Sequence, residues 1–245
     1  MLLLTDRPPP AESRLPWPPL LRGKLVRRYR RFLADVVLDS GEAVTAHCPN
    51  TGAMISCCEP GRPVFLSRSD NPRRKLPYTW EIIDMGTSLV GVNTAVPNRL
   101  VEHAVRHAKI PELGGYGQVR REVPYGDHSR IDLLLSGPGR PDCYVEIKNC
   151  TLVTDGIARF PDAVTSRGLK HLHDLVETVH HGNRAAMFYF VQRMDAETFL
   201  PADRIDPAYG IALRAAVDAG VEMMVYDVRL DLDGIELCRP LPWSL

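Results

Sequence analysis

The chain has 245 residues, 44% of them hydrophobic and 24% charged, which suits one large or two small globular domains with a buried core. Basic and acidic residues both number 30, but residues 1–91 carry 13 basic against 9 acidic and residues 92–245 carry 17 against 21, so only the N-terminal part leans toward a polyanionic partner. Six cysteines without a C-x-x-C pair read as reduced thiols rather than a zinc site or disulfide framework. No apolar run is long enough for a signal peptide or a membrane span, so no membrane is expected and the cytoplasm is the expected location.

Residues 1–21 form a proline-rich lead-in, with Pro8, Pro9, Pro10, Pro16, Pro18 and Pro19 excluding a helix or a central strand. Residues 23–37 and 42–47 then read as strands separated by the turn Asp39-Ser40-Gly41. Seven basic residues and no acidic one lie between Ser13 and Ala34. Arg27, Arg28 and Arg30, interleaved with Tyr29 and Phe32, suit contact with nucleic-acid phosphates and bases; a solvated strand face is the plainer alternative. Short strands continue between breaker-rich turns, including Asn50-Thr51-Gly52, so residues 22–92 read as an OB-like β-barrel.

Residues 93–245 have a different pattern. A helix is expected from Asn98, as N-cap, to about Lys109. Strands follow over 119–125, 130–135 and 143–149, with turns at 125–129 and at SGPGRPD. After a loop, TLVTDGIARF, a helix is expected from about Pro161-Asp162 with Val164, Gly168, Leu169, Leu172, Val176 and Val179 buried. A strand over 185–192, a helix over 207–219 and a strand over 221–228 complete the pattern.

Asp132, Glu146 and Lys148 stand as D-x13-E-x-K on two of these strands. Two carboxylates and a backbone carbonyl, here that of Ile147, suffice for Mg²⁺ or Mn²⁺ because such ions keep several waters. Lys148 is two residues from Glu146 and therefore on the same sheet face, where it would orient or deprotonate water and offset charge at phosphorus. Glu102 is a further carboxylate for catalysis or for a metal, and Arg167 and Lys170 on the following helix would reach phosphates. The plainer alternatives are an Asp132–Lys148 ion pair and an i,i+4 pair of Glu102 with Arg106. His171, His173, His180 and His181 lack partners at zinc spacing and read as solvated helix-face residues. Ser129 and Thr165 have no adjacent acid–base pair in the sequence.

Helix, three strands, helix, strand is the core order of the PD-(D/E)XK nuclease superfamily, with the carboxylates in the second and third strands as that fold requires. The chain also resembles the sugar fermentation stimulation protein family, from about Lys24 onward, through RYRRFLADV, HCPNTGAM, VNT and PN, REVPYG, SRIDLLL, YVEIKN with TL, FPDAVTSRGLKHL and FVQR. Leu133 replaces an expected aromatic and Cys150 an expected aliphatic, neither being a metal ligand. The resemblance implies a two-domain α+β and α/β protein. Its N-terminal OB-like barrel and C-terminal nuclease-like domain, with a central mixed sheet, would act on DNA without strong sequence specificity and leave room for a homo-oligomer. Within it, a metal-dependent nuclease and a non-catalytic DNA-binding regulator of sugar metabolism genes both remain open.

Overall fold

A computed structural model describes residues 14–125 and 129–245. Most of the proline-rich lead-in, and Gly126 and Asp127 of the expected turn, fall outside the described residues. Strand β1 (Leu15–Pro16) is followed by β2 (Leu20–Tyr29), β3 (Leu33–Leu38), β4 (Ala43–His47), β5 (Pro63–Arg68), β6 (Tyr78–Asp84) and β7 (Leu89–Gly91). β2 to β7 pair in the order β4-β3-β2-β5-β6-β7, and a parallel pairing of Ala46–His47 with Tyr78–Thr79 closes β2–β6 into a five-stranded OB barrel. Leu25, Val36, Val64, Leu66, Trp80 and Ile83 fill its interior.

The strand expected over 23–37 is in fact a hairpin. Arg30 and Arg31 both take positive φ, 49° and 63°, which side chains other than Gly rarely adopt. The side chain of Arg28 overcomes that preference by donating to the carbonyl of Arg31 and to those of Asn50, Gly52 and Ala53, so a distant turn fixes the bend.

The second domain contains α1 (Ala95–Arg106), β8 (Gln118–Tyr125), β9 (Ser129–Ser136), β10 (Cys143–Cys150), β11 (Leu152–Thr154), β12 (Ile157–Phe160), α2 (Ser166–His180), β13 (Arg184–Val191), β14 (Thr198–Pro201), α3 (Pro207–Asp218), β15 (Glu222–Leu230) and β16 (Gly234–Pro240). A mixed sheet in the order β1-β16-β15-β13-β10-β9-β8 runs through it, with β10, β13 and β15 parallel. α1 packs on one face, where Leu100 and Val101 meet Leu133, Val145 and Phe188. α2 and α3 cover the other, where Leu172, Leu175 and Leu213 meet Leu134, Met187 and Tyr189. α1, β8 to β10, α2 and β13 thus follow the expected order of helix, three strands, helix and strand around a central mixed sheet. Among the described residues no helix is long and apolar enough to cross a membrane, and all six cysteines are unpaired.

Three local expectations change. α1 begins at Ala95 rather than after Asn98, so Asn98 lies inside the helix with its side chain free for other work. TLVTDGIARF is no loop: β11 and β12 form a hairpin through Asp155 and Gly156, both at positive φ, as an Asp-Gly pair favours. α2 begins at Ser166, capped by Thr165 accepting from the Gly168 N–H, which leaves Val164 78% exposed instead of buried. Asp162, freed from the helix, accepts from the Met54 N–H in the barrel.

Arg193 braces the two domains from a buried position. It donates to Ser56 Oγ of the barrel and to the Thr151 carbonyl, and grips Asp195 with two 2.6 Å bonds. Arg193→Ala would strand those acceptors, so urea unfolding followed by circular dichroism should show about 3–5 kcal/mol lost.

Candidate functional site

The site arises where β9 and β10 part. Their register pairs run from Cys143↔Leu135 to Val145↔Leu133 and stop there. Beyond that point the Ile147 N–H donates instead to Asp132 Oδ2 at 2.7 Å. Asn98 Nδ2 donates to the other oxygen at 2.7 Å, so both carboxylate oxygens of Asp132 are oriented. Burial, and next the charge of Glu146, push the Asp132 carboxyl up to about 7 against the pull of Ile147, Lys148 and Asn98.

Glu146 is only 2% exposed. Its Oε1 accepts from Lys148 Nζ at 2.6 Å and from His171 Nδ1 of α2. Arg167 donates to His171 Nε2 at 3.3 Å, and His171 Nδ1 faces both Glu146 Oε1 and, at 3.0 Å, Lys148 Nζ. A proton on Nδ1 serves the carboxylate, and the ammonium then bonds to Glu146 rather than to the ring. Burial raises the Glu146 carboxyl, but the His171 hydrogen bond and the Lys148 charge outweigh it and hold the group below the usual carboxylate range. Oε2 is buried with no hydrogen-bond partner.

A buried lone pair without a donor, beside a carboxyl raised partly by its neighbour's charge, is an arrangement that a cation relieves. Among the described residues no three His, Cys, Asp or Glu converge as a metal cage. The donors that do meet at Asp132 and Glu146 are carboxylate oxygens without a thiol, the chemistry of a hard ion that takes one or two carboxylates and keeps its waters rather than of structural zinc.

Asp132, Glu146 and Lys148 therefore come together, and Lys148 pairs with Glu146 rather than Asp132. Glu102 does not join them: it accepts from Arg106 at 2.9 Å and lies 3.5 Å from Arg121. Asn98, one turn earlier on α1, is the residue that reaches Asp132. Arg27 pairs with Asp35 and lies over the Tyr29 ring. Arg28 is consumed by the four carbonyls named above, which removes it as a phosphate contact. Arg30 stays exposed at the hairpin tip. Arg167 is held by His171, and Lys170 donates to Ser129 Oγ at 2.5 Å and Asp174 at 2.8 Å.

His171 is the largest omission of the sequence reading, which placed it on a solvated face; it is 4% exposed. Its spacing from Arg167 at i,i+4 was visible, but nothing local says that this stripe faces Glu146. Ser129 has no acid–base pair adjacent to it in the sequence, and the fold brings it Asp174, to which it donates at 2.6 Å, and Lys170, from which it accepts.

Residues 26–92 match the family model for the SfsA N-terminal OB domain, and residues 95–234 that for the sugar fermentation stimulation protein RE domain. A sugar fermentation stimulation protein homolog of Acidithiobacillus ferrooxidans is 56% identical over 221 residues, spanning 90% of this chain and 95% of its own length. One from Geobacter sulfurreducens is 54% identical over 224 residues, spanning 91% and 96%. Pyrococcus furiosus SfsA, solved in complex with Ca²⁺, has the same fold, with a TM-score of 0.86 at 24% identity over 94% of this chain and 98% of its own.

Proposed function

Because the chain belongs to the sugar fermentation stimulation protein family, we propose from its site that it is a DNA-binding protein that hydrolyses phosphodiesters with Mg²⁺ or Mn²⁺. The observation that carries this reading is the orphaned, buried Oε2 of Glu146 beside the raised carboxyl of Asp132. These two side chains would hold the ion. When bound there, the ion supplies Lewis-acid stabilisation of phosphoryl oxygens and a more acidic water. The Ca²⁺ in the Pyrococcus furiosus relative belongs to the same hard, oxygen-seeking class.

The protein's own groups divide the remaining work. Asn98 and the Ile147 N–H fix the Asp132 carboxylate, and His171 fixes Glu146. Lys148, with its ammonium already inside the site, neutralises charge that develops on the phosphoryl group and holds the attacking water. Arg27 and the exposed Arg30 on the barrel draw in backbone phosphates through counterion release, a contribution blind to sequence.

A specific contact favours a second reading, a non-catalytic DNA-binding regulator: Lys148 already neutralises Glu146 Oε1, as a retired metal site would. Labelled single- and double-stranded DNA incubated with wild type and an Asp132→Ala/Lys148→Ala variant in Mg²⁺ or Mn²⁺ separates the two. Cleavage by wild type only supports the nuclease. Equal, salt-dependent binding by both proteins without cleavage leaves the regulator.

A further inference from the structure

Beside the carboxylates lies a cleft of about 430 Å³, lined by Pro124 and Tyr125 at the end of β8, Tyr144 of β10, Asp174 and Thr178 of α2, and Asn183. Its volume is that of a small-ligand site. The two tyrosine rings stand 5.9 Å apart and tilted by 38°, so the cleft has an aromatic wall. The Tyr125 hydroxyl is buried without a partner. Tyr144 is two residues from Glu146 and so on the same face of β10, and Asp174 is one turn from the Glu146 partner His171 on α2, so the cleft adjoins the candidate metal site. Burial, and then the charges of Glu146, Asp174 and Asp132, raise the Tyr125 phenol.

The charges of the lining select the occupant. Among the described residues no Lys or Arg lines the cleft; the carboxylates of Asp174 and Glu177 do, with His181 as the one lining side chain able to become positive by taking up a proton. The neighbouring ammonium of Lys170 is committed to Ser129 and Asp174. A phosphate would be repelled here. A neutral, planar group with N–H donors would stack on the tyrosines and bond to Asp174, Thr178 or Asn183.

We propose that this cleft receives an unpaired nucleobase of the strand whose phosphate is held at Asp132 and Glu146. The proposal rests on the nuclease or DNA-binding reading given above and adds the substrate class. A base can enter only from a single strand, a frayed end or a flipped nucleotide, since a duplex keeps its bases stacked. The barrel then tracks the phosphates, and the cleft senses that the strand is open.

The test uses the full chain with single-stranded oligonucleotides in Ca²⁺, each carrying one 5-iodouracil at a different position. After irradiation, adducts are mapped by mass spectrometry. Adducts on Tyr125 or Tyr144 are expected, and Asn183→Trp, which fills the cleft, should abolish them. In parallel, an abasic residue scanned along the oligonucleotide should weaken binding to wild type about 10- to 100-fold at one position; this measurement stands even if Asn183→Trp misfolds. Adducts only on barrel residues such as Tyr29 or Phe32, or none at all on a bound oligonucleotide, together with a flat abasic scan, would overturn the base cleft while leaving DNA binding intact. No complex with any oligonucleotide by fluorescence anisotropy would remove both the cleft and the function it rests on.

Discussion

Lys148→Met is expected to lower metal-dependent DNA cleavage by about 10²- to 10⁴-fold, the usual reach of one positioned proton-transfer or charge-stabilising group. Metal affinity should hold or tighten, because the substitution removes the ammonium that competes for Glu146 Oε1 at 2.6 Å. Asp132→Ala should instead lose metal binding itself, by removing one of the two carboxylates. Gel assays of labelled DNA, paired with calorimetric Mn²⁺ titrations, separate the two outcomes. Thermal melts serve as a control, since Glu146 is 2% exposed and losing Lys148 leaves its charge supported by His171 alone. If Lys148→Met cuts at the wild-type rate, Lys148 has no part in the chemistry.

Below pH 7, apparent Mn²⁺ affinity is expected to fall by about tenfold per pH unit and to level off above it, because one proton must leave Asp132 before it can act as a ligand. The Asp132 carboxyl is raised to about 7 by burial and by Glu146. Glu146 is held low and stays ionised throughout this window. The stability of the metal-free protein follows the same group. Between its ordinary value of 3.8 and about 7 the folded protein binds a proton that the unfolded chain does not. The contribution, on the order of 4 kcal/mol for a shift of this size, is therefore present at low pH and lost as pH rises through 7. A bound cation offsets that loss, so Mn²⁺ should raise the melting temperature at pH 8 and do little at pH 5. An affinity that is flat from pH 5.5 to 8.5 would show that Asp132 does not gate the metal.

Where local chemistry suffices, the chain is legible without its fold. Apolar runs mark β9 and β10, the E-x-K spacing puts Glu146 and Lys148 on one face of a strand, and the succession of elements sets Asp132 on the strand before it. The Asp155-Gly156 pair is itself a local hairpin signal within TLVTDGIARF, and the chain turns there. Asn98 misled for a local reason. Its amide makes a good N-cap, but the helix starts earlier, at Ala95, and places that amide against Asp132.

Residue order carries an OB-like barrel followed by a nuclease-like domain and offers Asp132, Glu146, Glu102 and Lys148 as candidates, because strand pairing and side-chain alternation are short-range consequences of that order. Tertiary packing selects among them, bringing Asp132, Glu146 and Lys148 together and leaving Glu102 with Arg106. The parting of β9 from β10 sends the Ile147 N–H to Asp132, the packing of α2 turns His171 inward onto Glu146, and the barrel's own turn captures Arg28. Burial, which sets the Asp132 carboxyl near 7 and leaves Glu146 Oε2 without a donor, is a property of elements distant in sequence coming together, and no window along the chain contains it.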